Sequence, residues 1–375
     1  MPLVSVLMPS YNHERYISEA IESVLNQTFA DFELIIVDDA SKDKSKEIIK
    51  IYKKKDSRIR TIFHNENKGI ARTMNEGLEE AEGKFIAFIA SDDVWVKDKL
   101  EKEVKVLERN EDCVVWTEVE IIDADGSPTG ELGTQRWGAS NRRKSGDIFD
   151  ELLRGNFIPN RILKKENLRD IRFNEALRYL NDWQFDVDLA RRYIYYFIPE
   201  PLVKKREHGS NTADRDRQGY TKDLMPIYQY FLNEYLNDMS NATKSGICFQ
   251  MAQHYRELGN NDMSNVTNSR IYLQMAQHYR ELGLAAENPQ VSQLQAQLDG
   301  KVSEIKRLEL QIWQMQHGIA MQVSSRHHRA VEKLLRSGTR RRYYYELGLS
   351  GIRIILNEGW LTFFRKAIHW FRQKI

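Results

Sequence analysis
Along the first 125 residues, apolar and polar positions alternate between β-type runs and helical spacing. Residues 4–8 (VSVLM) form a short apolar β-type run that ends at Pro9-Ser10-Tyr11-Asn12. Ile17, Ala20, Ile21, Val24 and Leu25 then recur on one helical face. Residues 32–37 predict a second strand, which ends at Asp38-Asp39. Ser41 is the expected N-cap of the next helix, with Ile48, Ile49 and Tyr52 turned inward. A third strand is expected over 60–64, and a helix over 69–81 with Ala71, Met74 and Leu78 inside. Residues 84–90 read as a fourth strand, apolar on both faces as a buried parallel strand is, and it stops at Ser91-Asp92-Asp93. A helix carrying Leu100, Val104 and Leu107 and a strand through 114–122 follow. This alternation predicts an α/β fold with a mostly parallel central sheet. Right-handed crossovers bring the strands' C-terminal ends to one edge, where open α/β sheets bind ligands.

The rest of the chain is less regular. Asp125-Gly126 and Ser127-Pro128 mark a turn, and the polar, glycine-containing stretch 130–146 is expected to be a mobile loop that closes over a ligand. Asp182 lies where LRYLNDWQFDVDLARRY begins a helix. The polar stretch REHGSNT (206–212) follows an apolar segment, 195–203. Residues 236–259 and 260–283 are a tandem duplication with 18 identities in 24 positions, each copy ending in the helix-like QMAQHYRELG. Apolar residues from Val291 to Ile319 are spaced by three and four, which suits a coiled coil or a long amphipathic helix. The expected organisation is a catalytic domain over 1–215, a helical region over 216–290, a coiled-coil-like helix over 291–320 and basic amphipathic helices over 321–375.

The net charge of +2 argues against a nucleic-acid binder but hides an asymmetry. Residues 317–375 carry a net charge of +9 and the remainder −7. The basic end combines Trp360, Phe363, Phe364, Trp370 and Phe371 with Arg365, Lys366, Arg372 and Lys374, as in a helix lying on an anionic membrane surface. No apolar run approaches the roughly 20 residues of a spanning helix, and no basic leader with a cleavage site is visible. Two cysteines, Cys113 and Cys248, suit a reducing compartment. The expected location is the cytoplasm, peripheral to the inner face of the cell membrane.

Three strand ends carry polar residues, and their chemistry points to a nucleoside diphosphate. Adjacent carboxylates such as Asp92 and Asp93 repel, and a cation between them and a phosphate relieves that repulsion. Tyr11 stands where a dinucleotide fold has its glycine-rich loop, and no G-x-G-x-x-G is present. Its ring can stack on a base, Asp39 can accept a base N–H, and Arg72 is placed to reach base or phosphate.

VSVLMPSYNHERYISEAIESVLNQTFADFELIIVDDAS, NKGIARTMNEGL and GKFIAFIASDDVW, in that order and spacing, closely resemble the family 2 glycosyltransferases with the GT-A fold. A weaker match runs through NDWQF and REHGSNT to about residue 212. The resemblance implies a Rossmann-like sheet, and the repeat and apolar spacing beyond it predict an α-helical C-terminal region. It also implies an inverting transfer from a nucleotide sugar, a uridine diphosphate sugar by preference, and the basic, aromatic tail suits a lipid-linked saccharide or surface polysaccharide as the acceptor. Pro9, Tyr11, Asn12, Asp39, Arg72 and Asp92 would then hold the donor. Asp93 and His208 would hold Mn²⁺ or Mg²⁺, Arg206 would contact phosphate, and Asp182 would be the catalytic base. Ala90 stands where the family often has another acid, and Asn181 where it has Glu. Two alternatives are a catalytically degenerate scaffold, acting as a homo-oligomer through 291–320, and a sugar nucleotidyltransferase. PSYNHERY lacks the glycine- and arginine-rich loop that the latter needs.

Overall fold
The computed structural model describes residues 1–110, 112–209 and 217–240, with residues 242–244, 246–247, 250–251 and 307. The chain divides into two compact units, and every described residue except Arg307 belongs to the first. The second copy of the tandem repeat, the coiled-coil-like helix and the basic C-terminal segment lie outside the described residues.

The first half follows the sequence pattern closely. Strands β1 (Val4–Ser10), β2 (Phe32–Asp38), β3 (Ile59–Phe63) and β4 (Phe85–Phe88) alternate with helices α1 (Ile17–Leu25), α2 (Ser45–Lys55) and α3 (Ile70–Glu80). They form a parallel half-sheet in the order β3-β2-β1-β4. β2 and β4 are buried along their whole length, because helices cover both faces of a parallel sheet. α1 buries Ile17, Ala20, Ile21 and Val24, the stripe its spacing requires. α3 packs on Leu7 and Val37 at Gly77. Gly83 is required before β4, since a Cβ there would lie 2.5 Å from the Ser5 nitrogen.

The second half is mixed. After β5 (Val94–Trp95) and α4 (Lys99–Leu107) come β6 (Cys113–Ile122), β7 (Pro128–Leu132), α5 (Gly133–Arg136), α6 (Phe149–Leu153) and β8 (Ile162–Lys164). α7 (Asn181–Ala190), β9 (Ile194–Arg206) and α8 (Arg217–Tyr235) complete the described elements. β8 runs antiparallel between β4 and β6, and β9 runs parallel to β6. β1 to β4, β6 and β9 therefore share one direction, and their C-terminal ends share one edge. The fold class expected from the sequence is the one observed for the described residues.

Two expectations need correction. Ser41 does not cap α2, which begins at Ser45; its hydroxyl and N–H both donate to Asp38, and Asp43 Oδ1 accepts the Ser45 N–H at 3.0 Å instead. Nor is 130–146 an open lid. Thr134 donates through N–H and hydroxyl to buried Glu118, the Trp116 indole donates to the Lys144 carbonyl, and Gly146 and Tyr195 exchange two backbone hydrogen bonds. The segment is tied along β6 and β9.

Behind this framework Lys99 and Glu103 form an ion pair of 2.5 Å between fully buried side chains, with the Lys99 ammonium 4.4 Å from the centre of the Trp95 ring. A buried pair is costly to break and inexpensive to replace as a whole. Glu103→Ala is predicted to destabilise the protein by about 3–5 kcal/mol, whereas Lys99→Met with Glu103→Leu costs much less. Urea unfolding of both variants tests this; equal losses would contradict it.

Candidate active site
The common strand edge gathers its charge at the end of β4. Asp92 and Asp93 are both nearly buried there. β9 ends beside them: the Arg206 N–H donates to Asp93 Oδ1 at 2.9 Å, and Lys205 Nζ lies 4.0 Å from Asp93 Oδ2. His208 Nε2 lies 3.0 Å from Asp92 Oδ2. Burial favours the neutral form of both carboxyls. At Asp92 the His208 hydrogen bond and the nearby positive charges outweigh burial and lower its pKa. At Asp93 burial prevails over Lys205, Asp92 adds repulsion, and the pKa rises. Lys205 is in turn held charged by Asp93 first, then by Asp92 and Asp182.

The geometry redistributes the roles expected of this cluster. His208 faces Asp92 rather than Asp93, and one ligand-type atom each from His13, Asp92 and His208 lies within 4.8 Å of the others. Asp93 is not in that group; its carboxylate is turned to the end of β9. Arg206 is a pin, not a phosphate contact. Its side chain is 2% exposed; Nε donates to the Asp92 carbonyl at 3.0 Å and one terminal nitrogen to Glu19 at 2.6 Å, while the other meets the Asp123 and Ala124 carbonyls. Its guanidinium lies over the Tyr16 ring, and Tyr16 stacks on His208 with centroids 4.6 Å apart.

A second network forms at the end of β2. Asp39 Oδ1 accepts the Lys68 N–H at 2.7 Å and Oδ2 accepts the Gly69 N–H at 2.9 Å, so Asp39 holds the start of α3. His64 bridges Asp39 Oδ1 at 2.7 Å and Glu76 Oε2 at 2.6 Å. Glu76 also receives Lys68 and Arg72. Each carboxylate oxygen has two lone pairs, so Asp39 Oδ2 keeps one for a ligand. Arg72 is exposed and further paired with Glu175 at 3.4 Å. Tyr11 is 42% exposed beyond β1, and Pro9 is half-buried within it. Asn12 sits at φ 55°, and its side-chain oxygen accepts the Lys42 N–H at 2.7 Å, so it ties two strand-end loops together.

Asp182 lies in the first turn of α7, exposed, and accepts from Asn156 Nδ2 at 3.3 Å. One turn on, Asp186 is fully buried against Arg161 at 2.5 Å and beside the Tyr195 hydroxyl. Burial lifts the Asp186 carboxyl to about 7 despite Arg161. That pair anchors α7 and so fixes the turn that presents Asp182.

Sequence reasoning passed over His13, Tyr16, His64, Glu76 and Lys205. His13 directly follows the PSYN strand end, and Lys205 stands three residues before His208, so adjacency to recognised positions was the available signal. His64 and Glu76 carried none, since their roles depend on pairing across 12 residues of chain.

The sheet is open and mostly parallel, with carboxylates and a histidine at its carboxyl edge, where α/β folds bind ligands. The family described as Glycosyl transferase family 2 matches residues 5–172. An uncharacterized glycosyltransferase of Methanocaldococcus jannaschii is 35% identical over 234 residues, 61% of this chain and 78% of that one. The chain belongs to glycosyltransferase family 2. The Escherichia coli protein named UDP-Glc:alpha-D-GlcNAc-diphosphoundecaprenol beta-1,3-glucosyltransferase WfgD is 42% identical over 121 residues, 32% of this chain and 47% of that one. A crystal structure of Staphylococcus aureus TarS residues 1–349 in complex with UDP-GlcNAc superposes with a TM-score of 0.57 at 20% identity, over 82% of this chain and 92% of that one. It shows the fold to be of the GT-A type. Against two other curated relatives the chain spans 32% and 50% of their lengths.

Burial acts to raise the pKa of Glu76, but hydrogen bonds from Arg72, His64 and Lys68 prevail and hold it down to about 2. A depressed carboxylate stabilises the fold above its ordinary pKa, and that stability is lost as pH falls through the folded value. Glu76→Gln is predicted to cost on the order of 2 kcal/mol at pH 7, with the gap to wild type closing between pH 4.5 and 2. Urea unfolding across that range measures it; a gap that stays constant down to pH 3 would contradict the network.

Proposed function
We propose that the protein transfers a sugar from a nucleoside diphosphate donor, with inversion, to a hydroxyl of a saccharide or lipid-linked glycan. The observation that carries the reading is the set of charged side chains where β4 and β9 end together, with His208 3.0 Å from Asp92 and Lys205 4.0 Å from Asp93. A uridine diphosphate donor and a lipid-linked acceptor are favoured because the E. coli relative's name specifies both kinds of substrate. A scaffold would not need this set, and its presence weighs against that alternative.

Asp92 and His208 fit a divalent cation, Mn²⁺ or Mg²⁺. Their ligand atoms are 3.0 Å apart, the separation of two ligands at right angles about 2.1 Å from one ion. Held there, it would supply Lewis-acid neutralisation of the leaving diphosphate. The chain's own residues supply the rest. Tyr11 offers an exposed ring for the base, the free Oδ2 lone pair of Asp39 an acceptor for a base N–H, and Arg72 a cation beside them. Lys205, 4.0 Å from Asp93, adds positive charge close to the departing group. Asp182 stands exposed to take the proton of an acceptor hydroxyl as it attacks the anomeric carbon from the opposite face. The basic, aromatic residues 340–375 would bring the protein to an anionic membrane surface where a lipid-linked acceptor resides, at the cytoplasmic face.

Release of UDP from a panel of UDP-sugars with a lipid-diphosphate saccharide acceptor tests this. Asp182→Asn is predicted to lower kcat at least 100-fold, in line with loss of a general base, while UDP binds as in wild type. Full activity in that variant would remove Asp182 from the chemistry.

A further inference from the structure
His13 belongs to no role in the reading above, yet it is held with care. Its carbonyl accepts the N–H groups of Tyr16 and Ile17 at the entry to α1, and its own N–H donates to Ser45 Oγ at 3.0 Å. The backbone at this point is therefore fixed from both sides. Its ring Nδ1 lies 2.8 Å from Ser91 Oγ, on the residue directly before Asp92. The ring stands edge-on to His208, with centroids 5.8 Å apart and planes at 90°. Its ligand-type nitrogen, one from His208 and one Asp92 oxygen all lie within 4.8 Å of one another.

We propose that His13 is the third protein ligand of the divalent cation held by Asp92 and His208, and that it sets the cation preference towards Mn²⁺ and against Mg²⁺. The inference rests on the reading of Asp92 and His208 as a cation site. The three side chains come from three segments, the loop after β1, the end of β4 and the residues after β9, and together would hold an ion that neutralises diphosphate oxygens. Two imidazoles beside one carboxylate discriminate against Mg²⁺, which selects oxygen ligands and gives up water reluctantly, more than against the transition ion Mn²⁺, which accepts nitrogen ligands more readily. Ligating histidines characteristically have an outer hydrogen-bonding partner that fixes the ring; Ser91 supplies it for His13, and Tyr16 stacking steadies His208.

The test is a titration of the full-length protein with Mn²⁺, with and without UDP, followed by the electron paramagnetic resonance signal of the free ion and repeated with Mg²⁺ in competition. Spin-echo modulation of the bound Mn²⁺ is expected to show nitrogen coupling from two imidazoles in wild type and from one in His13→Ala. His13→Ala is expected to weaken Mn²⁺ at least 10-fold and to change Mg²⁺ affinity less than about 3-fold. Wild-type Mn²⁺ with coupling from a single imidazole overturns the proposal, a result that needs no variant to fold. So does an unchanged Mn²⁺ affinity in His13→Ala while Asp92→Ala abolishes binding; that outcome leaves the two-residue cation site standing. A wild-type protein that binds no Mn²⁺, with or without UDP, overturns both.

Discussion
Two adjacent carboxylates, nearly buried, are the constraint around which this edge of the protein is organised. Like charges drawn out of water repel strongly and carry a desolvation cost of several kcal/mol each. They persist here because the end of β9 is brought alongside. The Arg206 N–H meets Asp93, the Arg206 guanidinium meets the Asp92 carbonyl, Lys205 lies beyond, and His208 reaches Asp92. Those contacts in turn require β9 to run beside β6 for its whole length, with β8 joining β6 to the parallel half. The mixed half of the sheet is thus what allows the parallel half to end in an acidic pair.

That division also explains what could be read from the residues alone. β1 to β4 and α1 to α4 were legible because each is long enough to show its period, and the α1 stripe from Ile17 to Val24 is the one observed. β5 and β8, two and three residues long, leave no period to detect. β9 was visible only as an apolar segment over 195–203, which holds Pro199 and Pro201, residues that central strands exclude. The register resolves this: Thr117 pairs with Ile198, Glu118 with Pro201 and Val119 with Val203, so three residues bulge out and the strand continues.

Site residues divide along similar lines. Polar clusters at strand ends were visible: Asp39 follows β2, Asp92 and Asp93 follow β4, and His208 follows β9, three strands whose C-terminal ends share that edge. Their division of labour was not visible. Whether Asp92 or Asp93 meets His208 depends on the turn after β4, where the Asp93 N–H closes back on the Ala90 carbonyl. Whether Arg206 faces a ligand or the interior depends on which face of β9 is buried. The Asp39–His64–Glu76 chain depends on β3 delivering His64 next to β2. Each is a tertiary fact with no local signature.

The central claim is that this edge binds a nucleoside diphosphate with a divalent cation. Calorimetric titration of the purified protein with UDP, GDP and dTDP, each with and without Mn²⁺, tests it most directly. Saturable, Mn²⁺-dependent binding of UDP, lost in Asp92→Ala, is the predicted result. Absence of binding by all three nucleotides in the presence of the metal would contradict it.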